Sequence, residues 1–284
     1  MSRSIIVGDK LIIKHNAGFF SNCSVILSEI SKYHILKNKL PTLVTDQTFK
    51  LYKDKNIDVD IFNNFFKLYK DIDVDIFNNF NVSEFKTSNQ FNDYTCIEYE
   101  YVNKLTNLYF SPTKEVLDIK NYLIQKYKID LKNTISIYYR GNDKISETNI
   151  PRYEEMLHKI DQVVSLNPNK KLLLQTDEID FYEYVKNSYP NIISIEENKM
   201  IKKSNHTGVH FTLKPGEKTK KAQILLSTVL ILSESSSLIT NSGNVAMWIC
   251  LYRGNNENVY QYLNPKNGFN PYNISSDNLW IEKK

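Results

Sequence analysis

Thr134-Ile135-Ser136-Ile137-Tyr138-Tyr139-Arg140-Gly141-Asn142-Asp143-Lys144 is the stretch on which the fold turns. Its first six residues are rich in Ile, Thr and Tyr and read as a strand. The strand stops at Arg140-Gly141, where a polar loop opens and runs on to Glu147. A helical pattern follows over Pro151 to Val164, then a strand over Lys171 to Gln175 and a helix over Phe181 to Ser188. Ile192 to Ile195 reads as a further strand, and a polar stretch from Glu196 to Pro215 carries His206, Gly208 and His210. Helix Lys218 to Leu232 gives way to strand Ser237 to Thr240, and the turn Asn241-Ser242-Gly243-Asn244 opens helix Val245 to Tyr252. Strands alternating with helices across short connections predict a parallel, doubly wound sheet. Ligands bind such sheets beyond the carboxyl ends of the strands. The loops after Tyr139, Gln175 and Thr240 are therefore the places to look.

The first half repeats the alternation. Leu11 to His15 is a short apolar run, and Asn16-Ala17-Gly18-Phe19-Phe20-Ser21-Asn22 a loop. Val25, Ile26, Ile30 and Tyr33 then mark a helix face, and Pro41 to Asp46 the next strand. Ser111-Pro112 has the form of a helix start, with an apolar stripe at Val116, Ile119, Leu123 and Tyr127. Between these elements lies a tandem duplication. Phe49 to Phe65 is followed at once by Phe66 to Phe80, a copy lacking only the Lys55-Asn56 pair. Two units are too few for a solenoid, so the duplication is expected in a surface excursion. Its Asp-Val-Asp-Ile runs lack the ligand spacing and turn glycine of a calcium loop.

Composition excludes several function classes. The chain has 284 residues, 41% of them hydrophobic, enough for a core and too apolar for wholesale disorder. A net charge of +4 from 36 Lys and Arg against 32 Asp and Glu does not mark a nucleic-acid binder. Three separated cysteines, Cys23, Cys96 and Cys250, make neither a disulfide framework nor a cysteine zinc site, and fit a reducing compartment. The amino terminus lacks the form of a signal peptide, and the longest apolar stretch is about half a membrane span. An intracellular, soluble protein is expected. The abundance of Asn, Lys, Ile and Tyr fits an AT-rich genome and says nothing of function.

Arg140 at a strand end, beside Gly141, can approach a diphosphate and bond it in a forked geometry. Lys144 adds a second cation, Asp143 can fix either, and Glu147 is a carboxylate one turn further on. Arginine for phosphate charge with a carboxylate base nearby suits group transfer from a nucleotide-sugar. On spacing alone a solvated salt bridge in this loop fits equally well. Ser242, Gly243 and Asn244 open a helix and form either a phosphate cradle or a plain helix cap. Asn16, Gly18, Phe19 and Asn22 enter their helix in the same way. No dinucleotide or P-loop glycine pattern is present. His206 and His210 lack a third ligand, so no metal site is expected, and His210 is a candidate substrate contact.

Taken together these blocks resemble a known superfamily. Ile135 to Lys144 is similar to the H-x-R-R-x-D-K stretch of the α-1,6-fucosyltransferase and NodZ-like superfamily of GT-B enzymes. Leu174-Gln175-Thr176-Asp177-Glu178 resembles its strand ending in A-T-D-D, and Leu232 to Trp248 its L-S-x-x-x-x-L-I-x-x-S-S-N segment. Asn16 to Asn22 resembles the Gly-rich first loop of its amino-terminal domain. The second-half blocks agree in order and spacing from Ile135 to Trp248.

The resemblance implies an α/β, GT-B-like fold of two Rossmann-like doubly wound domains with parallel sheets. Residues 1–120 would form the acceptor-side domain, containing the duplication at 49–80, and 121–284 the nucleotide-sugar-binding domain. It implies an inverting, metal-independent glycosyltransferase with no cofactor, moving fucose from GDP-fucose to a glycan hydroxyl. Arg140 would grip the β-phosphate, Thr176 and Asp177 would lie near the nucleoside, and Ser242, Gly243 and Asn244 would line the diphosphate. Glu147 would be the base, one residue closer to the Asp-Lys pair than in the eukaryotic enzyme. Three positions depart from the pattern: Tyr138 stands in place of His, Gly141 in place of the second Arg, and Thr228 in place of an Asp. A catalytically silent nucleotide- or glycan-binding module, or a transferase of another nucleotide-sugar, is the alternative.

Overall fold

The structure is a computed structural model and describes residues 3–54, 60–67, 83–204, 208–264 and 279–283. The second half is built on a five-stranded sheet: β4 (Thr134–Tyr139), β5 (Lys171–Thr176), β6 (Ser237–Asn241), β7 (Val259–Tyr262) and β8 (Trp280–Lys283). Strand order is β5-β4-β6-β7-β8, parallel except for β8. Every residue of β4 is buried, because the strand lies between β5 and β6 with both faces covered. Its period of two divides the core. Ile135, Ile137 and Tyr139 pack with Met156, Ile160 and Val163 of α4 (Tyr153–Ser165) and Phe181 and Val185 of α5 (Ile179–Ser188). Tyr138 faces the other way, into the core formed with α6 (Lys218–Ser233) and α7 (Asn244–Arg253). Helices on both faces make the sheet doubly wound. The chain reverses direction across it between β4 and β6, which brings Tyr139-Arg140 beside Asn241-Ser242 at a topological switch point.

The first half carries a smaller sheet. β1 (Ser4–Val7) pairs antiparallel with β2 (Lys10–Ile13), and β3 (Thr42–Val44) lies parallel to β2. Helix α1 (Phe19–Lys37) connects β2 to β3 and is buried along most of its length. A helix with so little polar face must be covered on several sides. α2 (Tyr99–Tyr109) and α7 pack on it, and the Trp248 indole N–H donates to Ser24 Oγ (2.9 Å). α3 (Lys114–Tyr127) packs against α6, with Val116 and Leu123 in the core. Its cap is Thr113, whose hydroxyl accepts the Val116 N–H (3.4 Å). Ser111-Pro112 is not the helix start: Pro112 pairs with Phe66 in an isolated bridge. No helix among the described residues is long and apolar enough to cross a membrane.

The first copy of the duplication is not a surface excursion. Phe49, Tyr52, Ile61, Phe62 and Phe65, with Phe66 of the second copy, are buried. Their rings join Phe19, Phe110 and Trp248 in a continuous aromatic cluster, with Phe19 and Phe65 centroids 4.9 Å apart. Two residues of this copy, Tyr52 and Asp54, also cap helices. The Tyr52 hydroxyl accepts the Phe19 N–H (2.8 Å) at the start of α1. Asp54 accepts the N–H groups of Gly216, Lys218 and Thr219 (2.8, 3.2 and 3.3 Å) at the start of α6. Asp58, Asp73 and Asp75, from the two Asp-Val-Asp runs, lie outside the described residues, as does His206.

Candidate functional site

At the switch point the backbone of Arg140 is held by one side chain. Asn241 Oδ1 accepts the Arg140 N–H (2.8 Å), and Asn241 Nδ2 donates to the Arg140 carbonyl (3.0 Å). The guanidinium is paired with the carboxylates of Asp143 and Asp177. Asp177 also accepts the Gly141 N–H (2.9 Å), and the Asn142 side chain donates to the Asp177 carbonyl (2.7 Å). The loop after β4 is thus laced to the end of β5. Glu178 completes the lacing: its buried carboxylate accepts the Asn142 N–H (3.1 Å) and lies where a side chain at position 141 would go. Burial holds this carboxyl above its ordinary pKa, opposed by the Asn142 N–H and by Lys203.

Lys144 is buried on three sides. Its ammonium pairs with Glu147 (2.7 Å), donates to Gln90 Oε1 (3.3 Å) and sits 4.4 Å from the centre of the Phe91 ring. Burial lowers its pKa and the Glu147 charge opposes the shift. Glu147 itself is half exposed, 52% by its side chain, so it can meet a second substrate arriving from solvent. A Cβ on Gly243 would lie 3.8 Å from the Lys144 stem, so the ammonium passes close to the start of α7.

Of these residues Arg140, Asp143, Asp177, Lys144, Glu147, Gln90 and Gly243 line one cavity of about 370 Å³, within the usual range for small-molecule sites. One wall is the entry to α1, from Ala17 to Ser21, and the facing wall is the entry to α7, Gly243 to Val245. The backbone N–H groups of Phe20 and Ser21, and of Asn244 and Val245, fall among the first N–H groups of their helices, which no intrahelical carbonyl reaches. Four basic residues (Arg140, Lys144, Lys199, Lys221) and four acidic ones (Asp143, Asp177, Glu147, Glu197) line the cavity. Side-chain charge therefore cancels, and the residual attraction for an anion comes from two helix N-termini. Leu213, Leu225, Val229 and Leu232 add apolar surface to the lining, which also includes Gln175, Asn198 and Thr228.

No family model and no curated protein matches the sequence. Solved structures do match. NodZ alpha-1,6-fucosyltransferase soaked with GDP-fucose is 13% identical, aligned over 88% of this chain and 94% of that one, with a TM-score of 0.53. Fucosyltransferase NodZ from Bradyrhizobium is 14% identical over 88% and 94% of the two chains, with a TM-score of 0.54. A further alignment, to NodZ co-crystallized with GDP, spans 59% of this chain and only 49% of that one, at a TM-score of 0.39. The chain has the fold of the NodZ fucosyltransferases.

Within this NodZ-like fold, eleven of the residues singled out from the sequence meet at the cavity: Gly18, Phe19, Tyr138, Arg140, Asp143, Lys144, Glu147, Thr176, Asp177, Gly243 and Asn244. Tyr138 is buried and its pKa is raised to about 12 by desolvation, so it stays neutral. Thr228, the third departure from the family pattern, also lines the cavity. Three expected contacts are placed otherwise. Asn16 is exposed and outside the cavity. Asn22 is fully buried and braces the loop before α1, bonding the Ala17 N–H and carbonyl (3.1 and 2.9 Å). Ser242 is also fully buried, and its hydroxyl donates to the Tyr262 carbonyl (3.0 Å) and accepts from Gln261 Nε2 (2.8 Å). Short polar side chains beside a turn serve the backbone before they serve a ligand. His210 falls in the turn Val209–Thr212, and its side chain lies outside the described residues.

Sequence reading missed Tyr94, Gln90, Phe91 and Asn198. The Tyr94 hydroxyl accepts the Gly243 N–H (3.0 Å) and donates toward the Gly243 carbonyl (3.1 Å), fixing the start of α7. Nothing in the 87–96 segment signals this, because its partners lie far away in the chain. Asn241 had a signal: it is the last residue of a buried strand, where a polar side chain must find partners.

Proposed function

We propose that the chain is a glycosyltransferase that takes a nucleotide-sugar donor, with GDP-fucose the first candidate, and transfers the sugar to a glycan hydroxyl with inversion. The observation that carries this reading is the Lys144–Glu147 pair lining the same cavity as Arg140 and the α7 entry. The diphosphate would lie across the α1 and α7 N-termini, displacing one carboxylate from the Arg140 guanidinium. Glu147, oriented by Lys144, would take the proton of the acceptor hydroxyl as that oxygen attacks the anomeric carbon. The bond from the anomeric carbon to the diphosphate oxygen breaks, and Arg140 with the helix N–H groups receives the charge. The cationic groups at hand allow a metal-independent transfer. Residues 1–120 would supply the acceptor side and 121–284 the donor side, with the fold known from NodZ, of which one structure was soaked with GDP-fucose.

The test is a transfer and donor-hydrolysis assay with GDP-fucose on the wild type and Arg140→Ala. Turnover that Arg140→Ala abolishes, with an unchanged far-ultraviolet spectrum, is expected. Equal turnover in both proteins would overturn the site assignment. GDP binding without any turnover would favour a catalytically silent nucleotide-binding module, the reading suggested by Tyr138 and Thr228 at positions where the family carries ionisable side chains.

A further inference from the structure

Three side chains of the cavity lining are joined by hydrogen bonds that run one way. Asn198 Nδ2 donates both to Gln175 Oε1 (2.9 Å) and to Thr228 Oγ1 (2.8 Å). Thr228 Oγ1 spends its own proton on the Ile224 carbonyl (2.9 Å), so toward Asn198 it can only accept. Gln175 spends its amide N–H groups on the Leu174 carbonyl (2.8 Å) and Ser194 Oγ (3.4 Å), so its oxygen likewise can only accept. Both partners therefore require the Asn198 amino group to point at them. The amide cannot flip, and the atom left over is its carbonyl oxygen, which has no protein partner among the described residues although Asn198 lines the cavity. Leu213, Leu225 and Val229 line the same cavity and supply the apolar surface that a flat ring needs.

We infer that Asn198 Oδ1, locked by Gln175 and Thr228, reads the nucleobase of the donor and selects bases whose ring nitrogen carries a hydrogen. This rests on the nucleotide-sugar reading above. Guanine and uracil present a ring N–H that donates to a fixed carbonyl. Adenine and cytosine present a bare ring nitrogen at the same edge, which would set two acceptors against each other. A site built to accept from a donor rejects the analogue that lacks it, because the buried acceptor is then left unmatched. Thr228 acts at one remove, through the orientation of Asn198.

The experiment measures binding of GDP, ADP and inorganic pyrophosphate to the wild-type chain, Asn198→Ala and Thr228→Val by calorimetry. The wild type is expected to favour GDP over ADP by about tenfold or more, the size of one matched hydrogen bond. Asn198→Ala should lose most of that ratio while its pyrophosphate affinity stays at the wild-type value. Thr228→Val keeps the shape of the side chain, removes one of the two acceptors that hold the amide and should lower the same ratio, so the inference stays testable if Asn198→Ala does not fold. An unchanged GDP-to-ADP ratio in both variants would overturn the inference while leaving the donor site standing. Equal weakening of pyrophosphate and GDP would overturn it as well, by showing a general loss of structure. Failure of the wild type to bind either nucleotide would overturn the nucleotide-sugar reading and this one with it.

Discussion

The carboxylate of Glu178 fills the space that a side chain on residue 141 would require. A Cβ there would also meet the Tyr139 ring at 3.0 Å. The glycine is thus a condition of the buried acid, and the two positions change together or not at all. Gly141→Ala should cost about 1–3 kcal/mol, as overpacking does in close-packed interiors. Shortening the acid in Gly141→Ala/Glu178→Asp should recover part of that loss, and additive losses in thermal unfolding would refute the coupling. Arginine at 141, the residue that the resemblance implies there, should disrupt the loop, since even a Cβ at this position meets Glu178 and the Tyr139 ring.

Glu178→Gln tests the charge alone. The folded pKa is raised, so between the ordinary glutamate value and the folded one the native chain holds a proton that the unfolded chain has lost. Stability therefore falls as pH rises through that window, and above it the charged carboxylate is only partly compensated by the Asn142 N–H and Lys203. The Gln variant should melt higher than the wild type near pH 7, with the gain vanishing as pH falls toward about 4, near the ordinary glutamate pKa. A lower melting temperature for Gln at neutral pH would contradict this.

Lys144 carries the opposite sign of group and a parallel expectation. Its folded pKa is lowered by burial, so the native chain releases the proton first as pH rises. Over that window the unfolded chain binds more protons and stability climbs with pH. Lys144→Met should match or exceed the wild-type melting temperature near neutral pH, and the gap should narrow as the pH approaches the lysine range. Transfer activity should be lost in the same variant. Glu147, half exposed, gives up little when its partner goes.

Tyr94→Phe removes one hydroxyl that serves both the N–H and the carbonyl of Gly243. The buried N–H is then unsatisfied, at a cost of about 1–3 kcal/mol. Thermal unfolding should fall accordingly and diphosphate binding should weaken, since the α7 entry loses its fixed position. Unaltered binding would show that α7 is held by the helix packing alone.

Asp54→Ala probes the first copy of the duplication. Three helix N–H groups lose their acceptor, and a loss of about 1 kcal/mol, typical of a removed cap, is expected in denaturant unfolding. An effect near zero would mean that solvent replaces the carboxylate without penalty.

The second-half fold was legible because its strands are buried on both faces and bounded by polar loops. Thr134–Tyr139 needed no adjustment, and α4 to α7 differ from the expected spans by a residue or two at their ends. β1, α2, β7 and β8 were not legible. α2 is half polar, and the edge strands β1 and β8 form only by pairing with a neighbour. Ile192 to Ile195, expected as a strand, makes only a single bridge to Leu173. At the site, charged residues were the readable ones, because charge at a strand end has few structural uses. Ser242 and Asn22 look the same in sequence as ligand groups, and only the fold shows that the backbone claims them. Asn198 escaped notice because its meaning lies wholly in its partners' donors.

Most of the second copy lies between two fastenings, one at its start and one beyond its end. On one side the Lys67 N–H is bonded to the Ser111 carbonyl (2.8 Å), and on the other the Phe85 N–H to the Ser31 hydroxyl (3.0 Å). Closing a loop becomes harder only slowly with length, by about 0.6 kcal/mol for each doubling. Chain inserted between such fastenings leaves the register of everything outside them untouched. The cavity takes Tyr52 from the first copy and, among the described residues, nothing from the second. A change of chain length between Lys67 and Phe85 is thus expected to leave the described lining of the cavity in place.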